Sequence, residues 1–121
     1  AALVCSISGT TITANSPTNF TTGWAYGNLI NSSCDPNTAN KVVIVYQDGR
    51  GSDYGKSVVG TVSGTSISFG AINVFESAAT QGPSVDYNPA TANHFAIAYK
   101  GSTSLQTCIL LQAQLLQLQS L

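Results

Sequence analysis

Apolar and polar residues alternate along most of this chain, and the alternation breaks at Gly, Asn, Asp and Pro. Lys41-Val42-Val43-Ile44-Val45-Tyr46 is rich in β-branched residues and lies between Asn40 and Gln47-Asp48-Gly49. That pattern predicts a strand with a turn at either end. His94-Phe95-Ala96-Ile97-Ala98-Tyr99 has the same shape, and Pro83 to Tyr87 predicts a further strand closed by Asn88-Pro89. Lys56 to Val62 and Ser66 to Phe69 flank Ser63-Gly64-Thr65, while Ala1 to Ile7 and Thr11 to Ala14 flank Ser8-Gly9-Thr10. Both arrangements read as tight hairpins. Sustained helical periodicity is absent until the end of the chain.

The pattern also recurs. Ser8-Gly9-Thr10-Thr11-Ile12-Thr13 returns as Ser63-Gly64-Thr65-Ser66-Ile67-Ser68, and Phe20 as Phe75, 55 residues on (8 to 63, 20 to 75). Pro36-Asn37-Thr38-Ala39-Asn40 returns as Pro89-Ala90-Thr91-Ala92-Asn93, and Tyr46 as Tyr99, 53 residues on (36 to 89, 46 to 99). A loop of variable length produces such a slip, and a repeat of about fifty residues points to stacked supersecondary units. Each copy reads as four short strands. The first is Leu29 to Cys34, or Pro83 to Tyr87; the second ends at Tyr46 or Tyr99. A Gly-rich connection, Asp48 to Gly55, leads to the third, and the Ser-Gly-Thr hairpin joins it to a fourth ending near Phe20 or Phe75.

Four antiparallel strands in this length match a propeller blade. The expected architecture is therefore all-β: repeated, four-stranded, antiparallel, blade-like units in a propeller-like arrangement, just over two of them. They occupy residues 1–104, with units matching about 1–54 and 55–104. Residues 105–121 form a Leu/Gln-rich tail or the start of a further strand, Leu105 to Leu111. In that tail Leu111, Leu115 and Leu118 would share a helical face, and Leu116 and Leu118 a strand face. Trp24 and Tyr26 fall in a longer connection of the first copy, Thr21 to Ile30.

Composition narrows the choice of partner. The apolar fraction of 43% is enough for a core, yet charged residues are only 7%, against roughly 25% in ordinary soluble domains. The four basic residues, Lys41, Arg50, Lys56 and Lys100, are scattered, and the formal net charge is −1. Phosphate neutralisation needs clustered cations, so nucleic-acid binding is not expected. No run approaches the roughly 20 apolar residues of a membrane-spanning helix, so membrane insertion is not expected either. The opening Ala1-Ala2-Leu3-Val4-Cys5 lacks the basic start of a signal peptide, and the chain reads as a processed product or a piece of something larger. A surface of Ser, Thr, Asn, Gly and Gln fits an extracellular or virion-surface setting.

Three cysteines allow at most one intrachain disulfide. Cys5 aligns with Gly60 and Cys34 with Tyr87, so no framework is shared between copies. Cys5, Cys34 and Cys108 are expected as buried, strand-embedded thiols packing as small hydrophobes. Neither a CxxC nor a Cys/His pair is present, so no metal and no cofactor is expected.

Candidate chemistry is sparse. His94, the single histidine, takes the place of Lys41 and reads as a solvated strand-edge residue. No GxSxG elbow marks a nucleophile. Asp48 and Asp53 lie in the most polar turn, but their spacing does not fit an EF-hand, and the other copy, Lys100 to Ser104, has no acid. The residues best suited to ligand or partner contact are Trp24, Tyr26, Asp48, Arg50, Asp53 and Tyr54, in aromatic or Gly-flanked loops. Asn19-Phe20-Thr21 and Asn31-Ser32-Ser33 match the glycosylation sequon at Asn19 and Asn31.

Gly55 to Ser77 and Asn40 to Gly55 resemble tandem-repeat β proteins of environmental and aquatic origin, strung together in tail-fibre-like, virion-associated and surface proteins. More distantly the unit is similar to blades of sialidase-type (Asp-box) propellers. The hairpin Ser63-Gly64-Thr65-Ser66-Ile67 lacks the Asp and the aromatic residue of that box, so the box is degenerate. The resemblance implies a scaffold and carries over no active site: a single Arg and a single Glu do not make a sialidase centre. The expectation is a non-enzymatic structural or adhesive module. It contacts other copies of itself, or neighbouring subunits, through blade faces and ligands through loops. The alternative is a secreted lectin-like propeller for neutral glycans.

Overall fold

The structure, a computed structural model, describes residues 1–50, 52–102 and, as backbone, 106–112. The chain opens with β1 (Cys5–Ser8) and β2 (Thr11–Ala14), followed by β3 (Ala25–Cys34) and β4 (Lys41–Asp48). Next come β5 (Tyr54–Ser63), β6 (Ser66–Phe69) and β7 (Asn73–Ala79). The last three are β8 (Gln81–Tyr87), β9 (His94–Lys100) and β10 (Gln106–Gln112). All regular structure among the described residues is β, and every pairing is antiparallel.

Turn chemistry explains where the chain reverses. Gly9 and Gly64 sit at φ 59° and 57° in two-residue loops, Ser8 opposite Thr11 and Ser63 opposite Ser66. A positive φ at the first central residue is the type II′ geometry that matches strand twist, and glycine adopts it without steric cost. At the β3–β4 and β8–β9 turns the left-handed position falls to Asn40 (φ 65°) and Asn93 (φ 61°), a conformation asparagine tolerates well. In these two turns Asp35 and Asn88 each accept a backbone N–H two residues on, from Asn37 and Ala90, both at 2.8 Å.

Three open sheets result: β1-β2, a five-stranded sheet ordered β3-β4-β5-β6 with β7 also on β5, and β10-β9-β8. β6 pairs with the second half of β5 and β7 with the first half, so one edge is covered by a strand in two pieces. Pairings recur along the chain. Cys5↔Ala14 returns as Gly60↔Phe69, and the bridge Ala2↔Thr18 as Ser57↔Asn73, each 55 residues on (5 to 60, 2 to 57). Cys34↔Val42 returns as Tyr87↔Phe95, 53 residues on (34 to 87). The β9–β10 pair Tyr99↔Thr107 takes the place of Tyr46↔Lys56.

β4 is buried on both faces, so its apolar run is continuous rather than alternating. Val43 and Val45 face one core, with Val85, Tyr87, Phe95, Ile97 and Tyr99 from β8 and β9, and Phe75 at its margin. Ile44 and Tyr46 face a second core with Phe20 and Val58, closed by Ala2, Ala25 and Phe69. β8 lies against β3 and β4. Side chains seal this seam: Asn31 accepts the Val85 N–H at 3.3 Å, Asp35 accepts the Asn93 N–H at 2.8 Å, and Ser33 donates to Asp86 at 3.1 Å.

Several expectations need correction. Tyr26 is not in a connecting loop but in β3, which starts at Ala25 and absorbs the extra residues as an irregularity between Ala25 and Ile30. The fourth strand does not end near Phe75; β7 carries it to Ala79. Cys5 and Cys34 are strand residues, but both are exposed free thiols, because no described sheet packs over the β1–β2 hairpin or that face of β3. Gly51 in the Asp48 to Gly55 turn, residues 103–105 and residues 113–121 of the Leu/Gln tail lie outside the described residues, as does the side chain of Cys108.

Candidate functional site

Two glycines let the Thr21–Ala25 segment settle on the β4–β5 turn. The Gly49 N–H donates to the Trp24 carbonyl at 2.7 Å, and the Gly23 N–H to Thr21 Oγ1 at 3.1 Å. A Cβ on Gly23 would stand 3.3 Å from Arg50 Cδ, and one on Gly49 would stand 3.4 Å from Trp24 Cβ. A side chain at Gly23 would need the Arg50 stem to give by a few tenths of an ångström, whereas one at Gly49 would only touch Trp24. The backbone around Trp24 is thus anchored while its indole is 77% exposed, a large apolar surface turned outward rather than into a core.

Beside it opens a cleft of about 340 Å³, at the small end of the size range of ligand pockets. Its walls include Asn19, Thr22, Trp24, Ile30 and Arg50, with Phe20 among its lining residues. Phe20 is held from below by edge-to-face contacts with Tyr46 at 5.2 Å and Phe69 at 6.1 Å.

Charge in the cleft follows from how Asp48 is spent. Asp48 is buried, its Oδ1 accepts the Arg50 N–H at 3.2 Å, and its Oδ2 pairs with the Lys56 ammonium. Burial pushes this carboxyl up. The Lys56 hydrogen bond, the Arg50 N–H and the charges of Lys56 and Arg50 together pull it further down, so it lies below the ordinary carboxylate value. With Lys56 neutralising Asp48, the Arg50 guanidinium has no carboxylate at ion-pair distance among the described residues.

Of the residues singled out in the sequence, the structure brings Trp24, Arg50 and Asn19 into one cleft, with Asp48 beneath the Arg50 backbone. Tyr26 (46% exposed), Asp53 and Tyr54 do not line it. Asp53 instead turns the chain at φ 55° and accepts the Thr80 N–H at 2.9 Å. Asn31 uses its carboxamide oxygen on Val85. His94 is half-buried at the start of β9. Thr22 and Ile30 line the cleft without having been foreseen. Both lie in the longer Thr21 to Ile30 connection, but that they line a cleft with Arg50 depends on the meeting of Gly23 and Gly49 in the tertiary packing.

Among the described residues no three of His, Cys, Asp and Glu gather as a metal site would need. No described helix is long and apolar enough to cross a membrane. Comparison of the chain with protein-family models, curated proteins and solved structures finds no match.

Proposed function

We propose that this chain is a non-enzymatic structural and adhesive module built from repeated blade-like β units. It associates with further copies or neighbouring subunits through its sheet faces and presents loops to ligands in an extracellular or virion-surface assembly. The supporting observation is the recurrence of registers 55 and 53 residues apart, joined to a difference in burial between matched positions. Val58 and Ile67 are 0% and 8% exposed, whereas their counterparts Leu3 and Ile12 are 44% and 68% exposed. Val43 and Val45 are fully buried under β8 and β9, whereas the matching Ala96 and Ala98 are half-buried and exposed. Among the described residues the interior copy of each surface is thus covered while its counterpart is exposed, and apolar exposure of this kind marks sites of association.

Sedimentation velocity over a wide concentration range tests this. Mass should rise with concentration, and Ile12→Glu or Ala98→Glu should lower it by placing a charge on an apolar contact. A monomer at every concentration would refute the assembly reading.

A second reading, carbohydrate binding, is favoured by the Trp24 cleft. An exposed indole lining a cleft with hydroxyl and amide side chains is suited to the apolar face of a sugar ring.

A further inference from the structure

Resting on that second reading, we infer that the cleft between Trp24 and Arg50 binds a carboxylated polysaccharide, a polymer of uronic acids. The indole receives the face of one sugar ring and the guanidinium takes its carboxylate. The sequence by itself suggests a neutral glycan, since charges are few and the formal net charge is slightly negative. Geometry places one cationic side chain, Arg50, on the cleft wall.

Of the four charges around this turn, Lys56 holds Asp48 and Asp53 does not line the cleft, so Arg50 is the charged side chain on the cleft wall. Its stem runs beside Gly23, with Cδ 3.3 Å from the place a Cβ would occupy, an approach that the missing side chain leaves open. A planar guanidinium offers two parallel N–H donors to a planar carboxylate. One basic side chain on the cleft walls suits one carboxylate per sugar. A phosphate-dense polymer needs several cations, and the remaining described ones, Lys41 and Lys100, lie outside the cleft. Asn19 and Thr22, which line the same cleft, supply groups that match sugar hydroxyls.

Trp24 is the single tryptophan in the chain, so its fluorescence reports on the cleft directly. Polygalacturonate should quench or shift this emission saturably, while neutral dextran should bind at least tenfold more weakly. Arg50→Gln should lose that preference, lowering polygalacturonate affinity about tenfold, to the level of dextran. Trp24→Ala, followed by affinity electrophoresis in a polygalacturonate gel, should abolish retardation, and circular dichroism should show both exposed-site variants folded. Equal affinity for dextran and polygalacturonate, or full binding by Arg50→Gln, would overturn the acidic preference and leave carbohydrate binding standing. Silence with both polymers would sink the two together.

Discussion

Tyr99 donates its phenol hydroxyl to the Glu76 carboxylate at 2.9 Å, across the seam between the five-stranded and three-stranded sheets. Tyr46 holds the matching place 53 residues earlier (46 to 99). Its ring meets Phe20 at 5.2 Å and 61°, as that of Tyr99 meets Phe75 at 5.1 Å and 55°. The hydroxyls differ. Tyr46 Oη is buried without a hydrogen-bond partner among the described residues, because the position matching Glu76 is Thr21 (21 to 76).

The two tyrosines should therefore respond oppositely to the same change. Tyr99→Phe removes a bond to a charged acceptor and should cost about 1.5–3 kcal/mol. Tyr46→Phe removes a hydroxyl that gains nothing from burial, so it should be neutral or slightly stabilising. Urea denaturation of both variants checks this; equal losses would contradict the difference in bonding.

Stability should fall steeply at alkaline pH. Burial above all, then the charges of Asp35 and Cys34, pushes the Tyr87 phenol up to about 12 from its usual 10.0. Burial, followed by the Glu76 hydrogen bond and charge, moves Tyr99 in the same direction. Between these values the folded chain holds a proton that the unfolded chain releases, so stability decreases as pH rises. The contribution is whole below pH 10 and is lost through about pH 12. Denaturation midpoints measured from pH 8 to 12 should show that decline, and Tyr87→Phe should flatten it.

Asp35 should make the opposite contribution at low pH. Burial raises its carboxyl, but the N–H groups of Asn37 and Asn93 and bonds from Thr38 outweigh it and leave the carboxyl below its ordinary value. Its stabilisation is present above the unfolded carboxylate range near pH 4 and is lost as pH falls through the lower folded value. Asp35→Ala deletes charge-assisted bonds that tie the β3–β4 turn to the β8–β9 turn, and should cost about 2–4 kcal/mol at neutral pH. The difference between variant and parent should shrink on acidification, as thermal melts at pH 7 and pH 3 would reveal.

Gly55→Ala tests how closely β7 approaches β5. A Cβ there would run into the Phe75 ring and come within 2.9 Å of Thr80 Oγ1. Overpacking of this kind costs about 1–3 kcal/mol. Ala at the exposed Gly27, where a Cβ meets nothing within 4 Å, is the control and should change stability little.

The sequence by itself determined the strands and their turns. Alternation between Gly, Asn and Asp punctuation is a local property, so β4, β5, β6, β8 and β9 lie where the pattern puts them, and the Ser-Gly-Thr stretches close tight hairpins. It did not reveal that Ala25 to Ile30 is strand, since Gly27 and Asn28 read as loop while the pairing of Ala25 and Ile30 with β4 on either side keeps the stretch extended. Nor did it reveal β7, whose Asn73 to Ala79 is poor in alternation and is held by β5. Tertiary structure alone decided that Lys56 pairs with Asp48, and that Arg50, with no carboxylate at ion-pair distance among the described residues, shares a cleft with Trp24. Charge pairing and exposure depend on distances between segments far apart in the chain, and no window of residues encodes those distances by itself.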